Sequence, residues 1–390
     1  MDERHVADRV LQWLSEHEQE MLELLETLVN IDSGSYDKEG VDQVRKVLQA
    51  HLQQAGVATE VFPLDKHGDC LLATVPGQGS DTDAHVLLLG HMDTVFPRHT
   101  VAERPFEIRD GRAYGPGVAD MKSGLVMNTF IACAFHALQC NQRPIKVFYT
   151  SDEEIASPSS RQLTLKMAEG AATVLNAEPG RPNGNVVVER KGAFFIDFEV
   201  NGVAAHAGVN HHKGASAIGA LAHKVIDLHG LTNPETGVTT NIGTVQGGVS
   251  INTVAPHARG QLDVRYPGSV DHAQLHEQIV SIIEHTHVPG TQARLTSEGK
   301  FLPLLRSDVN QALFEDYQRA AAQLGITVDS EAAGGSADSG LAASMGAPTL
   351  CATGPVGGLM HTVDEYLEVD TMVPRAQAAA LTILARDAQS

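Results

Sequence analysis

Four cysteines in 390 residues, Cys70, Cys133, Cys140 and Cys351, are too few and too scattered for a disulfide framework or a close-paired metal site. They read as small buried hydrophobes in a reducing compartment. Long apolar runs are missing too: none approaches the roughly 20 residues that span a bilayer, so no membrane partner is expected. Positive charge is scarce, with 28 lysines and arginines against 48 acidic residues and a formal net charge of −20. That balance repels polyanions and argues against nucleic acid and anionic membrane as partners. The N-terminus lacks the continuous apolar core of a leader peptide. Val6, Val10, Leu14, Met21, Leu25 and Leu28 recur there at roughly helical spacing and predict a surface helix, so a cytoplasmic protein is expected.

What is present is a long, mixed pattern. A chain of 390 residues exceeds a typical single core and implies two or so domains. Up to about residue 190, short apolar runs ("HVLLLG", 85–90; "IKVFYTS", 145–151; "ATVLNAE", 172–178) alternate with helical stretches near 38–55, 121–139 and 158–169. This is an α/β layer with a largely parallel sheet, whose ligands sit beyond the carboxyl ends of the strands. The middle changes character. Strand, helix, two strands, helix and strand follow one another over 193–202, 214–230, 238–248, 258–267, 271–285 and 291–299, the β-α-β-β-α-β order of a ferredoxin-like domain. The expected organisation is therefore a catalytic α/β domain in two parts, 1–190 and 303–390, with an α+β domain inserted at 191–302.

Several apolar strands end in residues that a core strand gains nothing from unless something compensates their desolvation. "LLLG" runs into His91 and Asp93, two apart and so on one side of an extended chain. "YGPGVADMKSG" places Asp120 after a glycine bend; "KVFYTSDEEIAS" ends in the adjacent Glu153 and Glu154; "VLNAEPG" ends in Glu178; His361 lies among glycines in "GGLMHTVDEYLEV". Taken singly, each has an ordinary reading: a hydrogen-bonded histidine, an aspartate helix cap, a solvated acidic loop. Taken together they form the nitrogen-and-oxygen donor set of zinc or a similar divalent ion in a hydrolase, and one bridging carboxylate can hold two such ions.

These stretches, with "AHAG", "VSINTVAP" and "LDVRY", run from residue 90 to 370 in an order that resembles the aminoacylase and glutamate-carboxypeptidase family of co-catalytic zinc metallopeptidases. The resemblance implies that Asp120 is shared by two ions, His91 and Glu178 completing one and Glu154 and His361 the other. It also implies that Glu153 is the general base, that Asp93 orients His91, and that the Asp120–Met121 peptide is cis. The inserted domain would be a dimerisation or lid domain. His206 would reach the partner subunit's site to polarise the scissile carbonyl, and Asn252 and Arg265 would contact substrate. Lys300 falls where folate-cleaving members have an arginine for the terminal glutamate; lysine keeps the charge but loses the bidentate fork. His211 stands where relatives usually have proline, and "GGSADSG" (334–340) matches the family's loop only in part.

The expected function is hydrolysis of an amide next to a free carboxylate by a homodimeric enzyme carrying two divalent ions, zinc before cobalt or manganese. Its substrate would be a small peptide or an N-acyl amino acid, with glutamate as one candidate product. A deacetylase of the acetylornithine type or a di- or tripeptidase is the alternative. A silent metal- or amino-acid-binding protein on the same scaffold is a lesser one, because no ligand or base is missing.

Overall fold

The computed structural model describes residues 3–79 and 84–388. The chain forms two compact units, one of Met1–Glu189, Leu304–Ala333 and Ala337–Ser390, the other of Arg190–Pro303 with Gly334–Ser336.

The first unit is built on an eight-stranded sheet that is parallel only in its middle. There Ile145–Thr150, His85–His91, Ala171–Asn176 and Thr349–Cys351 run side by side in parallel. Cys70–Val75 and Ala58–Phe62 continue one flank antiparallel, and Val186–Arg190 pairs antiparallel on the other. Every residue of His85–His91 is buried, which explains its unbroken apolar run: a strand covered on both faces has no polar side to alternate with. The helix Ser123–Leu138 is apolar nearly all round and is correspondingly buried, with Glu3–Glu16, Glu18–Val29 and Met372–Asp387 packed against it.

The N-terminal segment differs from the single surface helix its spacing predicts. It is two helices, Glu3–Glu16 and Glu18–Val29, parted at His17, whose Nδ1 bonds the carbonyl of Trp13 at 2.7 Å and whose ring stacks on Trp13. Val10, Leu14, Met21, Leu25 and Leu28 are fully buried, so this face belongs to the core. Three cysteines are buried and Cys140 partly so, all of them free thiols.

A second, four-stranded antiparallel sheet of very short strands was not legible in the sequence: Glu107–Arg109, Arg112–Tyr114, Tyr366–Glu368 and Gly357–Gly358. Strands of two or three residues carry no periodicity. This sheet nevertheless joins the stretch leading to Asp120 to the loop that carries His361.

The second unit is a four-stranded antiparallel sheet in the order Thr239–Gly247, His257–Tyr266, Gly192–Asn201, Gln292–Phe301. Helices Ala217–His229 and His272–Glu284 complete the β-α-β-β-α-β order. Gly192–Asn201 alternates buried and half-buried residues, and Phe194, Ile196, Phe198 and Val200 meet Leu221, Leu228, Ile279 and Ile283 in the unit's own core. Among the described residues, no helix is long and apolar enough to cross a membrane.

Candidate metal centre

The register of the parallel strands decides where the ligand-type residues fall. His91 is the last residue of its strand and pairs with Thr150, while Leu89 pairs with Asn176. His91 and Thr150 thus end their strands level and Asn176 ends two residues short, so the residues that follow (Asp93; Glu153 and Glu154; Glu178) emerge at one carboxyl edge, where doubly covered sheets hold their ligands.

Asp120 reaches this edge from a different direction. After Arg112–Tyr114 the chain turns through Gly115 and Gly117, both at positive φ, and a Cβ on Gly117 would run into the methyl of Thr94. The irregular turn Val118–Lys122 follows, and the Asp120–Met121 peptide is cis. His361 arrives from the loop between Gly357–Gly358 and Tyr366–Glu368, itself at φ 63°. A non-glycine residue in that region is held there by its surroundings.

The convergence is tight. Asp120 Oδ1 lies 3.2 Å from His91 Nε2, and its Oδ2 lies 3.3 Å from His361 Nε2. Glu178 Oε1 is 3.8 Å and Glu153 Oε2 3.9 Å from His91 Nε2, while Glu154 Oε2 is 3.3 Å from His361 Nε2. Glu153 and Glu154, though adjacent, thus face different imidazoles. Among the described residues, two sets have donor atoms mutually close enough to share an ion: His91, Glu153 and Glu178, and His91, Asp120 and Glu154. On distance alone Glu153 stands within ligating reach.

Asp93 does two jobs. The carbonyl of Asp93 accepts from His91 Nδ1 at 3.0 Å, with Asp93 Oδ1 3.4 Å from the same nitrogen. A carbonyl oxygen can only accept, so Nδ1 carries the proton and Nε2 is the nitrogen left for a metal. The Asp93 carboxylate also accepts the backbone N–H groups of Glu153 and Glu154, each at 3.1 Å, and the Ser35 hydroxyl at 2.7 Å. It ties the two glutamates to the strand that bears His91.

The electrostatics call for cations. Five carboxylates, those of Asp93, Asp120, Glu153, Glu154 and Glu178, gather around two imidazoles and are largely shielded from water. Even with both imidazoles protonated the cluster keeps excess negative charge, which a low-dielectric site does not tolerate unpaired. Burial pushes the Glu153 carboxyl well above its usual range, and Glu178, Asp338 and Glu154 add to the rise against the pull of His91. Burial likewise opposes ionisation of Asp120, but hydrogen bonds to His361 and His91 outweigh it and hold Asp120 below the ordinary carboxylate range. The same bonds, from Asp120 first and Glu154 second, push His361 up to about 10. Glu154 Oε1 is buried with no hydrogen-bond partner, an orphaned acceptor of the kind a metal satisfies. The donor set therefore fits divalent ions.

Four residues that sequence reading passed over support the centre. Glu365, inside the quoted "MHTVDEYLEV", is 1% exposed and accepts the backbone N–H groups of Gly117, Ala119 and Asp120 at 2.9–3.0 Å. Asp338 accepts from Ser157 Oγ at 2.6 Å and Thr150 Oγ1 at 3.2 Å, bracing the turn after Glu154; burial lifts it to about 6. Asp152 accepts from Ser159 and Ser160. Lys122 is buried with its Nζ 2.8 Å from the carbonyl of Ile31, and burial lowers it to about 7. Removing the Glu365 carboxylate leaves three buried N–H donors unmatched. Glu365→Ala should cost about 3 kcal/mol in denaturant unfolding of the metal-free protein. A loss below about 1 kcal/mol would mean that the turn around Asp120 does not depend on this clamp.

The remaining sequence-predicted residues lie in the second unit. His206 is exposed and its Nδ1 accepts from Gly208 N at 3.2 Å. Asn252 is exposed and its Oδ1 accepts from Ser250 Oγ at 2.8 Å. Arg265 is held by Asp263 through Nε and Nη2 at 2.9 and 2.8 Å, with Nη1 3.3 Å from Ser336 Oγ. Lys300 Nζ sits 5.5 Å from the centroid of the Phe194 ring.

Several known proteins are similar to this chain. Carboxypeptidase G2 of Pseudomonas sp. (strain RS-16) is 26% identical to the chain, with 97% of the chain and 92% of the relative aligned. Succinyl-diaminopimelate desuccinylase of Stenotrophomonas maltophilia is 29% identical, covering 84% of the chain and 89% of the relative. The crystal structure of an M20 family metallo-carboxypeptidase from Sulfolobus solfataricus superposes with a TM-score of 0.78 at 17% identity, over 95% of this chain and 99% of that one, which is a likeness of fold. Residues 87–385, most of the chain, match peptidase family M20/M25/M40; the chain belongs to that family and is a metal-dependent hydrolase.

Proposed function

We propose that the chain hydrolyses an amide bond adjacent to a free carboxylate, as a carboxypeptidase or N-acyl-amino-acid hydrolase, with two divalent ions of which zinc suits the donors best. Asp120 would hold both, with His91 and Glu178 supplying further donors to one and Glu154 and His361 to the other. The observation that carries this reading is the Asp120 carboxylate, each of whose oxygens lies within 3.3 Å of a different imidazole. The ions, when bound, supply Lewis acidity toward water and toward the scissile carbonyl.

The chain's own groups do the rest. Glu153 accepts the proton of the attacking water and returns it to the leaving amine; its burial among other carboxylates keeps its proton affinity high enough for both transfers. Asp93 holds the His91 tautomer. Arg265 binds the substrate carboxylate through Nη1, the guanidinium nitrogen engaged only by the 3.3 Å bond to Ser336. Lys300 and Asn252 contribute further polar contacts, and His206, exposed on the second unit, polarises the carbonyl of substrate held by a partner subunit in a homodimer. An edge strand, Thr239–Gly247, and the loop after it expose Val245, Val249 and Ile251, an apolar strip that suits such a partner. The names of the carboxypeptidase and desuccinylase relatives favour the same bond type.

A panel of N-acyl-glutamates, N-acetylornithine and short peptides, offered to zinc-loaded protein with and without chelator, tests the reading. Cleavage should vanish with chelator and fall at least about tenfold when the substrate's free carboxylate is amidated, the loss expected when a charged hydrogen bond is removed. Preference for free peptides over N-acyl amino acids would move the assignment to a di- or tripeptidase. A solution mass near that of one 41.6 kDa chain would refute the homodimer.

A further inference from the structure

We propose that a cleft beside Glu154 in the first unit is the acyl subsite, and that Arg98, locked by Asp37 and Glu39, restricts it to uncharged, apolar acyl groups. The inference rests on the amide hydrolysis proposed above. The cleft has a volume of about 640 Å³ and runs from Glu154 and Ile155 along Tyr36, Val95, Phe96 and Pro97. Its walls are fixed by backbone bonds: Thr94 N to Ser33 O at 2.8 Å and Ser35 N to Thr94 O at 3.2 Å, so the "DTVFPR" loop that leaves His91 is laced to residues 33–35. Gly34 permits that approach, since a Cβ there would meet the carbonyl of Phe96. Tyr36 is 82% exposed and Val95 42%, an unusual display of apolar surface next to a candidate ligand.

Arg98 is the cation among the residues lining the cleft, and it is already engaged. Its Nε and Nη2 bind Asp37 at 2.8 and 2.6 Å, and Nη2 also reaches Glu39 at 3.1 Å. Two carboxylates thus more than offset its charge. Arg104, stacked on Phe96 at 4.6 Å, directs its Nη1 to the carbonyls of Thr362 and Val363. An acyl group ending in a carboxylate would enter a cleft flanked by Asp37, Glu39 and Glu154, where it would compete with two carboxylates for Arg98, whereas a flat apolar group would cover Tyr36, Phe96 and Ile155.

Calorimetric binding to zinc-loaded Glu153→Ala protein compares three ligands that share one amino acid: N-phenylacetyl-, N-succinyl- and N-acetyl-glutamate. The phenylacetyl compound should bind at least about tenfold tighter than the succinyl one. Tyr36→Ala and Phe96→Ala should weaken the phenylacetyl compound about fivefold or more and leave N-acetylglutamate unchanged. Asp37→Asn combined with Glu39→Gln keeps a side-chain acceptor at the start of the helix Lys38–Gln54 but frees Arg98, and should tighten the succinyl compound about tenfold. Equal affinity for the phenylacetyl and succinyl compounds, or equal weakening of all three ligands by the Tyr36 and Phe96 variants, would overturn the subsite. If binding follows the expected order but active protein cleaves none of the three, the hydrolysis reading fails and the subsite stands. If N-acetylglutamate is cleaved without any acyl preference, the reverse holds.

Discussion

Glu153→Ala protein is expected to bind its full complement of metal, to fold, and to turn over about 10²–10⁴-fold more slowly than the parent, the usual worth of a positioned acid–base group. The experiment separates the two roles that distance leaves open. Glu153 lies 3.9 Å from His91 Nε2 and shares ligating reach with Glu178, so a ligand role would cost metal as well as rate. A base role costs rate alone, with KM little changed. Burial and three neighbouring carboxylates raise the proton affinity of Glu153, which is unfavourable for a charge meant only to sit still. Its removal should therefore leave the metal-free protein as stable as before or more so, measured by thermal unfolding. Parent-like turnover would end the assignment of Glu153 as base.

Asp120→Ala should lose both ions and at least about 10⁴-fold in activity, roughly 5 kcal/mol of barrier. Among the described residues Asp120 is the carboxylate with one oxygen 3.2 Å from one imidazole and the other 3.3 Å from the second, so its loss would leave no equivalent bridge. Atomic absorption on the dialysed variant checks the first part; two retained equivalents would contradict it. Metal uptake by the parent should also depend on pH in a set direction. In the metal-free chain His361 keeps its proton up to about 10, against an ordinary 6.5, because Asp120 and Glu154 surround it. A metal held by His361 would displace that proton, so affinity should climb as pH rises from about 6.5 toward about 10, with proton release visible in buffers of different ionisation enthalpy. The folding contribution has the opposite slope. A histidine whose folded pKa is raised stabilises fully below 6.5, and that stabilisation is lost as pH rises through about 10, so chelated protein should weaken across the window in which metal binds better.

How much of this was legible beforehand varied with the kind of order involved. Strands such as His85–His91 and helices such as Ser123–Leu138 announce themselves through runs and periods, because burial on two faces or all round leaves a pattern in local sequence. The antiparallel flanks of the main sheet were missed, since strand direction leaves no such pattern. The short sheet that links Arg112–Tyr114 to Tyr366–Glu368 was missed for lack of length. Glu365 stood in plain view inside a quoted motif, but its partners are backbone N–H groups of residues 117–120, and nothing in a carboxylate's neighbours along the chain names a distant amide.

The sequence by itself determined the inventory: which side chains could bind a metal, that several follow buried strands, and the order of the longer strands and helices. The register of the strand ends, the meeting of Asp120 with two imidazoles, the double use of Asp93 and the pairing of Arg98 with Asp37 and Glu39 were decided by tertiary structure alone. The physical reason is that periodicity records which face of an element is buried. The register between strands and the partners of buried charges are settled only when the whole core closes and every buried donor and acceptor must be matched.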